Sequence, residues 1–416
     1  MKKLFLAALI FRLLLSFLTY HPDTLDFLGW SKDIEKNGLS GIYYRGVDDA
    51  GPANYPPLYY LYLNFNNRIY QSVKSVLWIV NDKAPLFPSN IFLYFESDRG
   101  RIWFNKLTPI IFDLASAYML YLLIVELADK KKAKFAAGLY LFLPPSWYIS
   151  SLWGQIDSMY ITFLLISLFF FLKRRISLSI LFFTVSLCLK PNAIYIFPLF
   201  ILIILKQKYF KAAFLGALSS FFVVILPSAY FVKSFSVTAN VEFYVKYIRE
   251  ISGYISSNAF NIWGIFYGFA PKYDSLKLLG LSVYLWGFII YLLFMFYVIY
   301  KIISKTYVER FIFILLLLCF ASFLFLTRMH ERYFYMTYVI FLVTSFIYPK
   351  IRKYFYITSV VFFLNLYHFW WYPYLDVSKY FFSNRLVEVM FCLINLLVFY
   401  KLLVLEGDFD KGYVKK

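Results

Sequence analysis

Residues 105–127 read NKLTPIIFDLASAYMLYLLIVEL, and after Ala128-Asp129 comes the cluster Lys130-Lys131-Lys132-Ala133-Lys134. As a helix, the apolar stretch reaches the roughly 30 Å of a bilayer's hydrocarbon core. Its interior carries one carboxylate, Asp113, which is costly in lipid unless paired. The lysines that follow are what retains a short loop on the cytoplasmic side of a membrane. A membrane-spanning helix with a fixed direction is therefore the first expectation.

The pattern recurs along the chain. Of 416 residues, 62% are hydrophobic and only 16% charged, and the mean hydropathy is +0.66. A soluble domain of this size cannot bury so much apolar surface. The net charge of +19 does not point to nucleic acid. Most lysines and arginines fall in short clusters between apolar runs, such as Lys173-Arg174-Arg175, where they suit anionic lipid headgroups. The three cysteines, Cys188, Cys319 and Cys392, are far apart in apolar stretches and have no metal-ligand spacing.

Placing the basic clusters on one side predicts an all-α, polytopic, single-domain bundle over residues 1–416 with about twelve transmembrane helices. The expected spans are about Leu4–Tyr20, Asn105–Leu127, Phe135–Ser150, Ile156–Leu172, Ile176–Leu189, Ala193–Leu205, Ala212–Phe231, Leu276–Tyr300, Phe311–Thr327, Tyr333–Tyr348, Tyr354–Trp371 and Leu386–Leu405. Both termini and the clusters Lys130–Lys134 and Lys301, Lys305 and Arg310 are then cytoplasmic. Two long segments, 21–104 and 232–275, are extracytoplasmic. In the first, Asp23 to Asn37 reads as a helix, and Ala53-Asn54-Tyr55-Pro56-Pro57 opens a second, aromatic-rich helix suited to a membrane interface. The spans near Lys190-Pro191-Asn192 are short and proline-interrupted, as in broken helices that line polar cavities.

The polar residues capable of chemistry gather on the extracytoplasmic face. They are His21, Asp23 and Asp26; Trp153-Gly154-Gln155-Ile156-Asp157; Lys190 and Asn192; Asn258 and Asn261; and Arg328-Met329-His330-Glu331-Arg332-Tyr333. Several cations within reach of one anion favour a phosphate, which arginine binds bidentately. A nearby carboxylate can take a proton from a nucleophile. A lipid phosphate bearing a sugar meets both needs at a membrane surface. No metal-ligand cluster is present, and no metal or other cofactor is expected. Each residue also has a plainer reading. Arg328 and Arg332 suit snorkelling anchors, Asp23 a helix N-cap, and Gln155 and Asp157 caps of the following span. Arg12 and Asp113 lie at similar depth, and their simplest role is a buried structural ion pair.

Several of these stretches, in this order, resemble the GT-C superfamily of membrane glycosyltransferases that use polyprenyl-phosphate sugars, in particular its prokaryotic mannosyltransferase-like branch. They are Asp23-x-x-x-Phe27-x-x-Trp30, Tyr55-Pro56-Pro57-x-Tyr59, Asp113, Trp153-Gly154-Gln155-Ile156-Asp157-Ser158, Leu189-Lys190-Pro191-Asn192, Asn258-Ala259-Phe260-Asn261-Ile262-Trp263 and Thr327-Arg328-Met329-His330-Glu331-Arg332-Tyr333. The resemblance implies inverting transfer of a monosaccharide, with mannose the first candidate, on the extracytoplasmic face of the plasma membrane. It implies Asp23 as general base, with Asp26, Asp48 and Asp49 as alternatives. Lys190, Arg328, His330 and Arg332 would hold the donor phosphate. Tyr55, Trp153, Gln155, Asp157, Asn258 and Asn261 would bind substrate. The partners would be membrane lipids, the lipid-phosphate sugar and a glycan, lipid or protein acceptor. Two rival readings remain: a transporter or flippase of lipid-linked sugars, and a polymerase or ligase using lipid-diphosphate glycans.

Overall fold

The computed structural model describes residues 1–249, 253–304 and 308–409. Lys305 and the end of the basic tail lie outside the described residues. The protein is all-α apart from two short strand pairs. Among the described residues, four helices are long and apolar enough to cross a membrane: Asp98–Leu127, Phe210–Val232, Val283–Lys301 and Arg385–Glu406. Four more apolar helices are shorter, namely Asp157–Leu172, Ile176–Leu189, Pro191–Lys206 and Arg310–Phe325. Large side chains on the longer helices face outward, among them Phe214, Leu293, Phe296 and Leu397, which gives a surface chemistry suited to lipid. The chain is a membrane-associated helical protein.

Several expected spans are broken, and the breaks have local causes. The run expected as one helix over Phe135–Ser150 becomes a helix Lys130–Phe142, a turn of helix Pro144–Trp147 and a π-helix Tyr148–Trp153. Pro144 and Pro145 lack the N–H groups that would continue the ladder. Asp129 starts the first piece earlier than expected by accepting the Lys132 backbone N–H at 2.8 Å. The helix Ile176–Leu189 stops before Pro191, and a 3-10 segment Pro191–Ile196 precedes the helix Phe197–Lys206. The first helix is Lys2–Ser16, ending four residues before the expected Tyr20.

The described residues pack as two compact units. One comprises residues 1–119, 146–191 and 211–251, and the other 120–145, 192–210 and 252–416. In the first unit, the helices Asp157–Leu172 and Ile176–Leu189 form an antiparallel hairpin, with Ser167 Oγ donating to Ser179 O at 2.7 Å. The segment 21–104 carries helices Asp23–Asn37, Pro57–Lys83 and Ser89–Glu96, the last one not anticipated. Their common core is aromatic: the Trp30 ring lies 5.9 Å from Tyr55 and 5.4 Å from Tyr60, edge to face. Deeper in this unit, Arg12 Nε donates to Asp113 Oδ2 at 2.7 Å with both side chains fully buried. Ser150 Oγ donates to the same carboxylate oxygen at 3.1 Å, and Arg12 also reaches Ser146 Oγ at 3.3 Å.

In the second unit, the helices Val308–Phe325 and Tyr335–Ile347 form a buried hairpin. Glu406 is buried near one end of the unit against Lys301 at 3.4 Å and Arg310 at 2.5 Å. The unit's other notable feature is a two-residue parallel pairing of Ser256–Ser257 with Met329–His330.

Candidate functional site

In the first unit, Asp23 opens the helix Asp23–Asn37, so its carboxylate stands at the positive end of that helix. Gln155 Nε2 donates to Asp23 Oδ2 at 2.7 Å, and Tyr55 OH donates to Gln155 Oε1 at 3.4 Å. The amide is thus oriented from both ends, with its N–H side toward the carboxylate. His21 lies beside the pair: its Nδ1 accepts the Asp23 backbone N–H at 3.1 Å and lies 3.2 Å from Asp23 Oδ1. A ring nitrogen that accepts an N–H carries no proton of its own, so that 3.2 Å approach is not an ion pair through Nδ1. The imidazole stacks on Trp153 with centroids 3.9 Å apart, and the His21 backbone N–H reaches Trp153 O at 3.3 Å. The Asp23 side chain is 32% exposed, so the carboxylate is both held and reachable.

Gly154 makes this arrangement possible. Its φ is +89°, and a Cβ there would come within 3.0 Å of the side chains of Lys106 and Thr24. The turn brings Gln155 out of the π-helix and against Asp23.

The other carboxylates of segment 21–104 have different surroundings. Asp26 Oδ1 accepts the Gly51 N–H at 2.8 Å and so ties the loop around residue 50 to the helix. Asp48 and Asp49 line a cavity of about 370 Å³ with Lys32, Asp33, Lys36 and Asp98, and Asp23 is not part of that lining. Asp33 is held by Arg45, with Nε to Oδ2 at 2.8 Å. Burial pushes the Asp33 carboxyl up, but hydrogen bonds from Arg45 and Asn37 and the Arg45 charge outweigh it and hold the group below its ordinary value.

Asp157 and Lys190, expected as substrate and phosphate contacts, pair with each other at 2.7 Å. Both are almost fully buried, and the ammonium also lies 5.9 Å from the Tyr160 ring centroid. The pair joins the start of one hairpin helix to the end of the other, because a lone ammonium there would be costly. Asp157 Oδ2 is buried with no hydrogen-bond partner.

In the second unit, the turn 327–333 carries Arg328, His330 and Arg332. The pairing of Met329–His330 with Ser256–Ser257 holds it, with Arg328 at φ +62°. Arg328 Nε donates to Asp274 Oδ2 at 2.7 Å, and Thr327 Oγ1 reaches the same oxygen at 3.1 Å. The guanidinium lies 4.9 Å from the Tyr284 ring centroid. The hydrogen bond and charge of Asp274 raise the Arg328 pKa, so the residue stays cationic. Arg332 Nη1 donates to Glu331 at 3.3 Å, and the His330 ring lies 5.0 Å from that of Tyr333. Asn261 is buried as the N-cap of the helix Ile262–Tyr267, and its amide also donates to Phe323 O at 3.3 Å. Asn258 has φ +62° and forms a bridge with His330. Both asparagines are placed to shape the backbone around the turn.

Two residues in these sites were not anticipated. Asp274 lies 54 positions before Arg328, so no local pattern marks it. Lys106 lies at the start of the stretch that decided the fold, where a lysine reads as an interfacial residue, yet it is only 1% exposed. As with Asp113, the signal is a charge within an apolar run.

The fold and these charges define a membrane-associated, all-α protein with polar clusters in both units. No protein-family model matches the sequence, and no curated protein does.

Proposed function

We propose that the protein is a GT-C-type glycosyltransferase of the plasma membrane, with about twelve crossings. It transfers a monosaccharide from a polyprenyl phosphate to an acceptor hydroxyl on the extracytoplasmic face. The observation that carries this reading is the state of Asp23: a reachable carboxylate oriented by a neutral amide, with a histidine beside it. A hydroxyl becomes a competent nucleophile as its proton leaves, and a carboxylate within about 3 Å can accept that proton. The bond from the sugar's anomeric carbon to the phosphate oxygen breaks as the new glycosidic bond forms. The electron pair leaves on the lipid phosphate, already a stable anion, so no strong acid is required there. The turn 327–333 of the second unit carries Arg328, His330 and Arg332, whose chemistry suits a phosphate. Lys190, neutralised by Asp157, is reassigned to holding the hairpin in place.

The test is an assay with purified protein in lipid, given radiolabelled polyprenyl-monophosphate mannose or glucose and an extract of the cell's own outer-face glycans. Labelled product from the monophosphate donor supports the proposal. Product from a lipid-diphosphate donor alone would indicate a polymerase or ligase, and movement of intact donor across vesicles without a new bond would indicate a flippase.

A further inference from the structure

Lys106 is buried in the helix Asp98–Leu127, and its partners are all backbone carbonyls. Four carbonyl oxygens surround its Nζ, Ser16 O at 3.1 Å, Thr19 O, Ser151 O at 2.9 Å and Leu152 O at 2.9 Å, and its three N–H donors are shared among them. Two of these oxygens lie at or just past the C-terminal end of the helix Lys2–Ser16, and two in the last turn of the π-helix Tyr148–Trp153. Helix C-termini leave carbonyls without intrahelical partners and carry a partial negative charge. Two such ends converge on one ammonium, which explains how a lysine is held there without a carboxylate.

The clamped segments are the ones that lead into the Asp23 site. Thr19 stands four residues before Asp23, and Leu152 three before Gln155. Between them the His21 ring stacks on Trp153, and a Cβ at Gly154 would strike the Lys106 side chain at 3.0–3.1 Å. We propose that Lys106 is a positioning residue: by tying these two helix ends together it sets the distance between Gln155 and the Asp23 carboxylate. An ammonium is suited to this task because it offers three N–H donors to carbonyls from two separate segments.

The proposal rests on the reading of Asp23 as base, and its test includes a measurement that does not. The chain has three histidines, His21, His330 and His368, so its imidazole resonances are few enough to assign by substitution. In Lys106→Met the His21 resonance should shift while those of His330 and His368 stay in place. Turnover should fall by up to about a hundredfold with donor KM unchanged, the scale on which a displaced catalytic group costs rate. Lys106→Gln, which keeps two N–H donors on a shorter, uncharged side chain, should produce a smaller His21 shift in the same direction and a smaller fall, and it keeps the test available if Lys106→Met does not fold. An unmoved His21 resonance in the folded variants, or a moved one with full turnover, would overturn the proposal. If His21 moves as expected but the wild-type protein transfers no sugar, the clamp stands and the reading of the reaction fails.

Discussion

Asp113 and Asp23 belong to the same unit, and their surroundings are opposite. Asp113 is fully buried and meets a guanidinium at 2.7 Å and a serine hydroxyl at 3.1 Å. Asp23 is a third exposed, and its 2.7 Å donor is a neutral amide. A buried carboxylate at contact distance from a cation is committed to that partner, and burial leaves no path for a substrate. The amide orients the Asp23 carboxylate without burying it, so the group stays reachable. The contrast separates a buried carboxylate that holds helices together from a reachable one, which the proposed reaction uses as its base, and Asp157, buried against Lys190, falls on Asp113's side of it.

The sharpest way to break this comparison is to exchange charge for shape at each aspartate. Asp23→Asn keeps the side chain's size and its bond to Gln155, with the amide flipped, and removes its basicity. Folded yield should persist and the transfer rate should drop by roughly 10²–10⁴-fold, the usual contribution of a general base. Near-normal transfer by purified Asp23→Asn protein would move the base to Asp26, Asp48 or Asp49. At Asp113 the expected outcome is the reverse, a loss of fold. Arg12→Leu or Asp113→Leu alone strands a buried charge at a cost of about 3–5 kcal/mol, and the double substitution should cost less than either. Thermal unfolding in detergent of the two singles and the double decides it, and strictly additive losses would show that the pair is not coupled.

A smaller effect distinguishes the cations of the second unit. Arg328→Ala and Arg332→Ala should each raise donor KM about tenfold to a hundredfold, as loss of a charge-assisted hydrogen bond to phosphate does, with acceptor KM unchanged. If these cations hold the donor phosphate as proposed, transfer should continue in the presence of EDTA. Unchanged donor kinetics in both variants would make these arginines interface anchors. Arg328 is the more informative of the two, since Asp274 fixes its guanidinium and Asp274→Asn should reproduce part of its defect.

The residues also show where sequence reading reaches its limit. The helix from Asp23 to Asn37 is legible because proline and two acidic residues open it and Gly38 closes it. The contact between Arg12 and Asp113 is legible because two opposite charges in apolar helices have few other partners. The interruptions are harder to read. Hydropathy carries the run from Phe135 through Ser150 as one span, while the backbone breaks at Pro144 and winds into a π-helix that Gly154 terminates. Among the described residues, four helices meet the length and apolarity for crossing a membrane, and four more apolar helices are shorter than the spans hydropathy suggests. The clamp at Lys106 depends on carbonyls up to 90 residues away, which no local pattern encodes.

The smallest expected effect lies in the segment around Asp33, and it tests whether the turn after the helix Asp23–Asn37 is held by charge. Asp33 binds Arg45 and also accepts from Asn37 at 2.7 Å, closing the turn that follows the helix Asp23–Asn37. Its folded pKa lies below the ordinary value, so the stabilisation is fully present above the unfolded value of about 3.9 and is lost as the pH falls through the folded pKa. With Arg45 a quarter exposed, the contribution should stay within about 1 kcal/mol. Hydrogen exchange of residues 38–46, corrected for the intrinsic rate at each pH, should show protection at pH 6 that fades below pH 4. Asp33→Asn at pH 6 should exchange like the wild type at a pH below the folded pKa of Asp33. If that variant is as protected as the wild type at pH 6, the turn is held by Gly38 and Gly41 geometry and the aromatic core alone, and the charge around Asp33 contributes nothing to holding it.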